Sequence, residues 1–110
     1  MIFSVIPIGR FKKEAKRLIK KYPSLKIELS ELSDALATNP ETGTPLGNNA
    51  YKIRLAIKSK GKRKSGGARV VTYLVTEDKE IYLLTMFDKS ELDSIDDKTL
   101  RKIIDSLRGK

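Results

Sequence analysis

The residues of this chain best suited to chemistry are four cations on or beside predicted strands: Lys52, Arg54, Arg69 and Lys89. Lys52 and Arg54 alternate with apolar residues, so in a strand they lie on one face, two residue rises or roughly 7 Å apart. That spacing suits successive phosphates, or two oxygens of one substrate. Arg69 opens the next predicted strand, and Lys89 follows the last one. We interpret the four residues as a candidate phosphate-binding site.

Three of these cations, Lys52, Arg54 and Arg69, belong to a basic segment that contains no carboxylate. Residues 42–76 include eight Lys or Arg and no Asp or Glu, in a chain whose formal net charge is +9. A cationic patch this concentrated is typical of surfaces that hold phosphates, and nucleic acid is the commonest such ligand. A membrane surface, an acidic protein and a solvated loop that only improves solubility are the alternatives.

The residue types missing from the chain restrict its chemistry. The sequence has no histidine and no cysteine. This excludes a Ser-His-Asp triad, a histidine-ligated zinc ion, a thiolate metal site and a disulfide framework. An enzyme made from this chain must take its acid, base and charge-stabilising groups from Lys, Arg, Tyr, Asp or Glu. A lysine can act as the base only where burial or nearby cations lower its pKa.

Apolar periodicity predicts the helices that support these residues. A short apolar strand opens the chain and ends at Pro7. A first helix begins at Arg10 and stops before Pro23, and a second runs from the capping residue Ser24 to Asn39. A final helix is predicted where four apolar residues recur at helical spacing: Leu100, Ile103, Ile104 and Leu107.

The middle of the chain reads as three antiparallel strands. Residues 40–50 hold two Pro, two Gly and two Asn and are predicted to be loop. The alternation that follows predicts strands at residues 51–58, Ala68–Val75 and 80–87. The element order is therefore β-α-α-β-β-β-α. We expect a single α+β domain over residues 1–110, with an antiparallel sheet packed against a helical hairpin and a C-terminal helix. The apolar opening is too short for a membrane span, so we expect a cytoplasmic protein without a membrane partner.

Four short motifs follow one another in the second half of the chain. They are Tyr51-Lys52-Ile53-Arg54, Ser65-Gly66-Gly67-Ala68-Arg69-Val70-Val71-Thr72-Tyr73, Ile81-Tyr82-Leu83-Leu84 and Phe87-Asp88-Lys89-Ser90-Glu91. In this order and spacing they resemble the RelE/ParE superfamily of type II toxins, and its RelE/HigB-like branch in particular. The resemblance covers nearly the whole chain and implies a small RelE-like fold. Its most telling part is the Gly-Gly-x-Arg-Val-Val block.

The resemblance implies a ribosome-dependent mRNA endonuclease, an mRNA interferase, that needs no metal or other cofactor. In such enzymes the RNA 2′-hydroxyl attacks the adjacent phosphate in line. By similarity, Lys52 and Arg54 contact or activate the reacting nucleotide. Arg69 stabilises negative charge on the scissile phosphate, and Lys89 contacts the phosphate or the leaving group. The implied partners are the ribosome, mRNA and a cognate antitoxin, which would form a hetero-oligomer by laying an acidic or amphipathic segment over the basic sheet.

The sequence departs from the family in two places. No tyrosine follows Tyr82, and Phe87 stands where close relatives often have tyrosine. Phe87 can stack on a base but cannot transfer a proton, so the acid and base stay unassigned. The basic loop is also longer than in the shortest members. We interpret five of its residues as ribosomal-RNA contacts, with solubility as the alternative: Lys58, Lys60, Lys62, Arg63 and Lys64.

Two other functions fit the same residues. A ParE-type inhibitor of DNA gyrase would share the fold. A non-catalytic basic RNA-binding module would need only the patch.

Overall fold

The computed structural model describes residues 2–60, 67–92 and 94–108, which fold into five strands and three helices. The predicted α+β class is confirmed, and each predicted helix and strand is present. A single turn of 3-10 helix, Lys58–Lys60, follows the third strand. The elements are β1 (Ser4–Pro7), α1 (Gly9–Lys21), α2 (Leu25–Thr38), β2 (Thr44–Gly47), β3 (Ala50–Leu55), β4 (Ala68–Val75), β5 (Glu80–Asp88) and α3 (Asp97–Leu107).

The five strands form one mixed sheet in the order β1-β5-β4-β3-β2. The predicted antiparallel meander is β3, β4 and β5. β1 lies at one edge and pairs with β5 in parallel, from Ser4 opposite Glu80 to Pro7 opposite Leu83. The sheet is therefore mixed, whereas the sequence predicted an antiparallel sheet.

The second difference from expectation is β2, which lies inside the segment predicted to be loop. Its residues pair antiparallel with β3. Gly47, Asn48 and Asn49 have positive φ angles of 89°, 54° and 64°, the conformation that a tight hairpin turn requires. Pro45 is tolerated because β2 is an edge strand. The Pro, Gly and Asn residues that predicted a loop thus build a hairpin.

The two faces of the sheet are covered by different helices. On one face, α1 and α2 contribute Leu18, Leu25 and Leu36, all with no exposed surface. On the other, α3 packs Leu100 and Ile104 and their neighbours against β4 and β5. No helix among the described residues is both long enough and apolar enough to cross a membrane. Any residue that β3, β4 or β5 directs away from α1 and α2 therefore lies on the α3 face.

Candidate functional site

Cross-strand pairing sets Arg54, Arg69 and Phe87 in one row on the α3 face of the sheet. Arg54 on β3 lies opposite Arg69 on β4, and Arg69 lies opposite Phe87 on β5. Directly opposed residues on neighbouring strands have Cβ atoms about 5 Å apart. Lys52 precedes Arg54 by two residues and so shares its face. The structure therefore brings Lys52, Arg54 and Arg69 together, whereas their roles stay predictions.

The three cations differ sharply in exposure. Arg54 is exposed and Lys52 is half-buried, but Arg69 is only 5% exposed. Nη1 of Arg69 donates a hydrogen bond of 3.1 Å to the backbone oxygen of Ala68, which fixes the guanidinium at the start of β4. Burial, and then the charge of Arg54, lower the pKa of Arg69. Arginine still keeps its charge at neutral pH, so an anion between the two side chains would relieve their repulsion.

Lys89 is brought to the same end of the sheet by a backbone contact. Its N–H donates to the carbonyl of Gly67 at 3.0 Å, and Gly67 directly precedes β4. The Lys89 side chain is half-buried. The residue that leaves β5 is thus tied beside the strand that carries Arg69.

Asp88, the last residue of β5, anchors the turn that follows this strand from the α1 side of the sheet. It has no exposed surface. Its Oδ2 accepts a hydrogen bond of 2.8 Å from the hydroxyl of Tyr22, at the end of α1. Its Oδ1 accepts bonds from the N–H and hydroxyl of Ser90, at 2.9 and 2.7 Å. The turn that contains Lys89 is therefore anchored to the first helix.

A second contact with α1 holds the same turn at the surface. Nη2 and Nη1 of Arg17 lie 2.8 and 3.2 Å from the two carboxylate oxygens of Glu91. Arg17 lowers the pKa of Glu91, chiefly through these hydrogen bonds. Because both side chains keep more than a third of their surface exposed, the pair orients the turn more than it stabilises the fold.

Replacing Tyr22 with phenylalanine should destabilise the protein by about 2 kcal/mol, because it removes a hydrogen bond to a buried carboxylate. The measurement is urea denaturation followed by circular dichroism. Tyr73→Phe is the matched control, since Tyr73 is a buried tyrosine for which the described residues offer no hydrogen-bond partner. Equal midpoints for the two variants would show that the Tyr22–Asp88 bond contributes nothing.

The described part of the basic loop is anchored to the start of α2. Glu28 is 6% exposed, and its Oε2 accepts a hydrogen bond of 2.7 Å from the N–H of Lys58. Ser24 and Ser59 hydrogen-bond each other across the same junction. Lys58 is exposed. The predicted ribosomal-RNA contacts Lys62, Arg63 and Lys64, and the side chain of Lys60, lie outside the described residues.

Glu28 was not identified from the sequence, although a signal was present. It lies three residues after Leu25, on the apolar face of α2, and an acid at such a position is buried only with hydrogen-bond donors around it. The donors belong to Lys58 and Ser24, of which Lys58 is remote in sequence. An acid on an apolar helix face is the feature to look for.

Phe87 lies in the row with Arg54 and Arg69, which we call the cation row, but its side chain belongs mainly to the core. It is 6% exposed and packs in the cluster of α3 with Leu100 and Ile103. From the sequence, Phe87 is predicted to bind RNA by stacking on a base. With α3 covering the ring, only its small exposed remainder can meet a ligand, so stacking over its face is a prediction that the packing disfavours.

Helix α1 is a second basic surface, on the face of the sheet opposite the cation row. Its thirteen residues include seven Lys or Arg and one acid, Glu14. The net charge of the N-terminal third hides this concentration, because α2 carries more acids than bases.

Among the described residues, no group of three or more acidic side chains is arranged to hold a metal ion.

Comparison with known proteins identifies the fold. No protein-family model matches the chain. Among solved structures, the chain is similar to the Escherichia coli toxin RelE in its free state, in a form with two arginine-to-alanine substitutions. The two chains are 18% identical and superpose with a TM-score of 0.61, over 84% of this chain and 90% of that one. The chain therefore has the RelE-like fold that its motifs implied.

Proposed function

We propose that this protein is the toxin of a type II toxin-antitoxin system and acts as a ribosome-dependent mRNA endonuclease. The observation that carries the proposal is the pairing of Arg54 with the buried Arg69 on the fold of a known toxin. Lys52 lies on the same face, and Lys89 is tied to the same end of the sheet. Arg54 and Arg69 are like charges at directly opposed positions of neighbouring strands, and a phosphate bound between them would offset their repulsion.

In the proposed reaction the RNA attacks its own phosphate while these cations hold it and stabilise its charge. The 2′-oxygen of the RNA bonds to phosphorus while the bond to the 5′-oxygen of the next nucleotide breaks, which leaves a 2′,3′-cyclic phosphate and a 5′-hydroxyl. The proton lost from the 2′-hydroxyl is balanced by one delivered to the 5′-oxygen. Arg69 stabilises the charge that builds on the phosphate, Lys52 and Arg54 hold the reacting nucleotide, and Lys89 contacts the leaving side.

The partners follow from this activity. The exposed lysines of α1 and the basic loop at residues 58–64 are proposed to contact ribosomal RNA phosphates, which would make binding strongly salt-dependent. A cognate antitoxin with an acidic segment would neutralise the toxin in a hetero-oligomer. Ribosomes and mRNA place the activity in the cytoplasm.

Expression in a bacterial host separates the proposed function from its alternatives. We expect induction to stop amino-acid incorporation within minutes, with no early rise in a DNA-damage reporter, because translation is the target. Arg54→Ala should relieve the arrest substantially, since it removes one of the paired cations. Arg101→Ala is the matched control, because Arg101 is an exposed arginine on α3.

Two outcomes would contradict the proposal. DNA damage that precedes the fall in translation would favour gyrase inhibition. Arrest that leaves all mRNA intact and needs only the basic charge would favour a non-catalytic RNA-binding module.

A further inference from the structure

A cavity lies at the end of β5, where the sheet edge is no longer covered by β1. In the described residues, β1 pairs with β5 only as far as Leu83. The remaining end of β5 borders a cavity of about 520 Å³, enclosed by the start of α1 and the segment that leads into α3. This is within the range of small-molecule sites. None of the four proposed catalytic cations lines it.

One wall of the cavity is cationic. It is formed by Arg10 and Lys13 of α1. The Nε of Arg10 lies 3.4 Å from the hydroxyl oxygen of Thr85, a long hydrogen bond that directs the side chain toward β5. Arg10 is in the first turn of α1, where the helix dipole disfavours a cation. Helix stability therefore does not explain why an arginine is present at this position. Glu14 also lines the cavity, but its carboxylate is engaged by Arg17 at 3.1 Å.

The segment that leads into α3 offers a hydrogen-bond acceptor. Asp96 lines the cavity there, together with Thr99 of α3. A hydrogen bond from the Thr99 side chain lowers the pKa of Asp96, which therefore stays an ionised acceptor at neutral pH. Apolar side chains also line the cavity, among them Ile95 and the 49% exposed Leu92. Cations from α1, apolar side chains and a carboxylate beside α3 are the groups that would complement the phosphate, the sugar-base body and the polar edge of a nucleotide.

The cavity is next to the proposed site of cleavage. Phe87 lines it and lies directly opposite Arg69 on the neighbouring strand. Neighbouring strands are about 4.8 Å apart, so a ligand in the cavity is within one or two nucleotide lengths of the cation row. The two sites can thus be occupied by one RNA strand.

We propose that this cavity binds a nucleotide flanking the scissile phosphate, with its phosphate toward Arg10 and Lys13 and its base toward Asp96. In naming RNA as the ligand, the inference rests on the proposed function. A carboxylate accepts hydrogen bonds, so it selects bases by their N–H groups. Guanine offers the carboxylate two adjacent donors, N1–H and the N2 amino group, whereas uracil offers only N3–H. The subsite therefore prefers guanine and disfavours uracil.

The test is a titration of the ¹⁵N-labelled full chain with the four nucleoside 5′-monophosphates, followed by amide chemical shifts. We expect shifts centred on Thr85, Ser94 and Thr99. GMP should bind with a Kd on the order of 1 mM and UMP about tenfold more weakly, as expected for the one additional charge-assisted hydrogen bond that guanine makes.

Three variants make the assignment specific. Asp96→Asn removes the carboxylate with little change in side-chain size and should reduce the preference for GMP over UMP to within about twofold. The double variant Arg10→Ala with Lys13→Ala should weaken GMP about tenfold and leave guanosine, which has no phosphate, unchanged. Lys12→Ala is the matched control, since this lysine is on the same helix but lines a different groove, and it should leave GMP binding unchanged.

Equal binding of UMP and GMP to the unaltered chain, or an unchanged preference in Asp96→Asn, would overturn the subsite. So would shifts spread over the lysines of α1 and β3. The titration involves no ribosome and no cleavage, so it fails independently of the proposed function. GMP binding in a chain that cuts no RNA would refute the nuclease and leave the cavity a nucleotide site. Codon-dependent cleavage without these shifts would refute the subsite alone.

Discussion

Replacing Arg69 with alanine is expected to slow RNA cleavage by about 10²- to 10³-fold, the usual loss when one preorganised charge-stabilising donor is removed. Arg69 is 5% exposed and its Nη1 donates to the Ala68 carbonyl, so in the proposed reaction its guanidinium would be oriented and partly desolvated before the substrate binds. The rate is measured under single-turnover conditions on ribosomes programmed with a short mRNA, so that substrate binding and chemistry are separated.

Two further variants show whether orientation or charge is responsible. Arg69→Lys should recover only a small part of the rate, because an ammonium group cannot donate two parallel hydrogen bonds to a phosphate. Arg101→Ala removes an exposed arginine of α3 and should cleave at the unaltered rate. Folding of Arg69→Ala is checked by thermal denaturation, and a folded variant with full activity would remove Arg69 from the site.

Replacing Gly67 with alanine is expected to destabilise the protein by about 3 kcal/mol. A Cβ atom at Gly67 would overlap the backbone oxygen of Leu55 and would lie 3.1 Å from the Cα of Ala56. Both are backbone atoms, so β3 or β4 would have to shift. The melting temperature should fall by roughly 12 °C or more for a domain of this size. The second glycine of the Gly-Gly-x-Arg motif, Gly67, is thus explained by the close approach of the ends of β3 and β4.

Gly9→Ala is the matched control for this substitution. A Cβ atom at Gly9, the first residue of α1, would have no neighbour within 4 Å. Alanine there should be neutral or stabilise the protein by up to about 1 kcal/mol through its higher helix propensity. If Gly67→Ala had the same melting temperature as Gly9→Ala, the ends of β3 and β4 would be less closely packed than the structure indicates.

Much of the fold could be predicted from periodicity. Phe11, Ala15 and Leu18 recur at helical spacing, and all three are buried on α1. β4 begins and ends at the predicted residues, because its apolar run is bounded by glycines and acids. The parallel pairing of β1 with β5 could not be predicted, since alternation shows that a segment is a strand but not which strand it joins.

The candidate site was predictable in part. Alternation alone puts Lys52 and Arg54 on one face. The opposition of Arg54 and Arg69 depends on the register between β3 and β4, which the intervening loop does not specify from sequence. The burial of Phe87 depends on α3 covering that face, and the Tyr22–Asp88 bond joins residues 66 positions apart. Such contacts follow from tertiary packing, which local patterns do not encode.

The most direct test of the proposed activity is primer extension on a reporter mRNA incubated with the purified protein, with and without programmed ribosomes. Cuts that appear only with ribosomes, and in register with codons, are the predicted result. Cuts that appear equally on free RNA would identify a ribonuclease that does not use the ribosome. The absence of cuts under both conditions would contradict an mRNA endonuclease built on this pair of arginines.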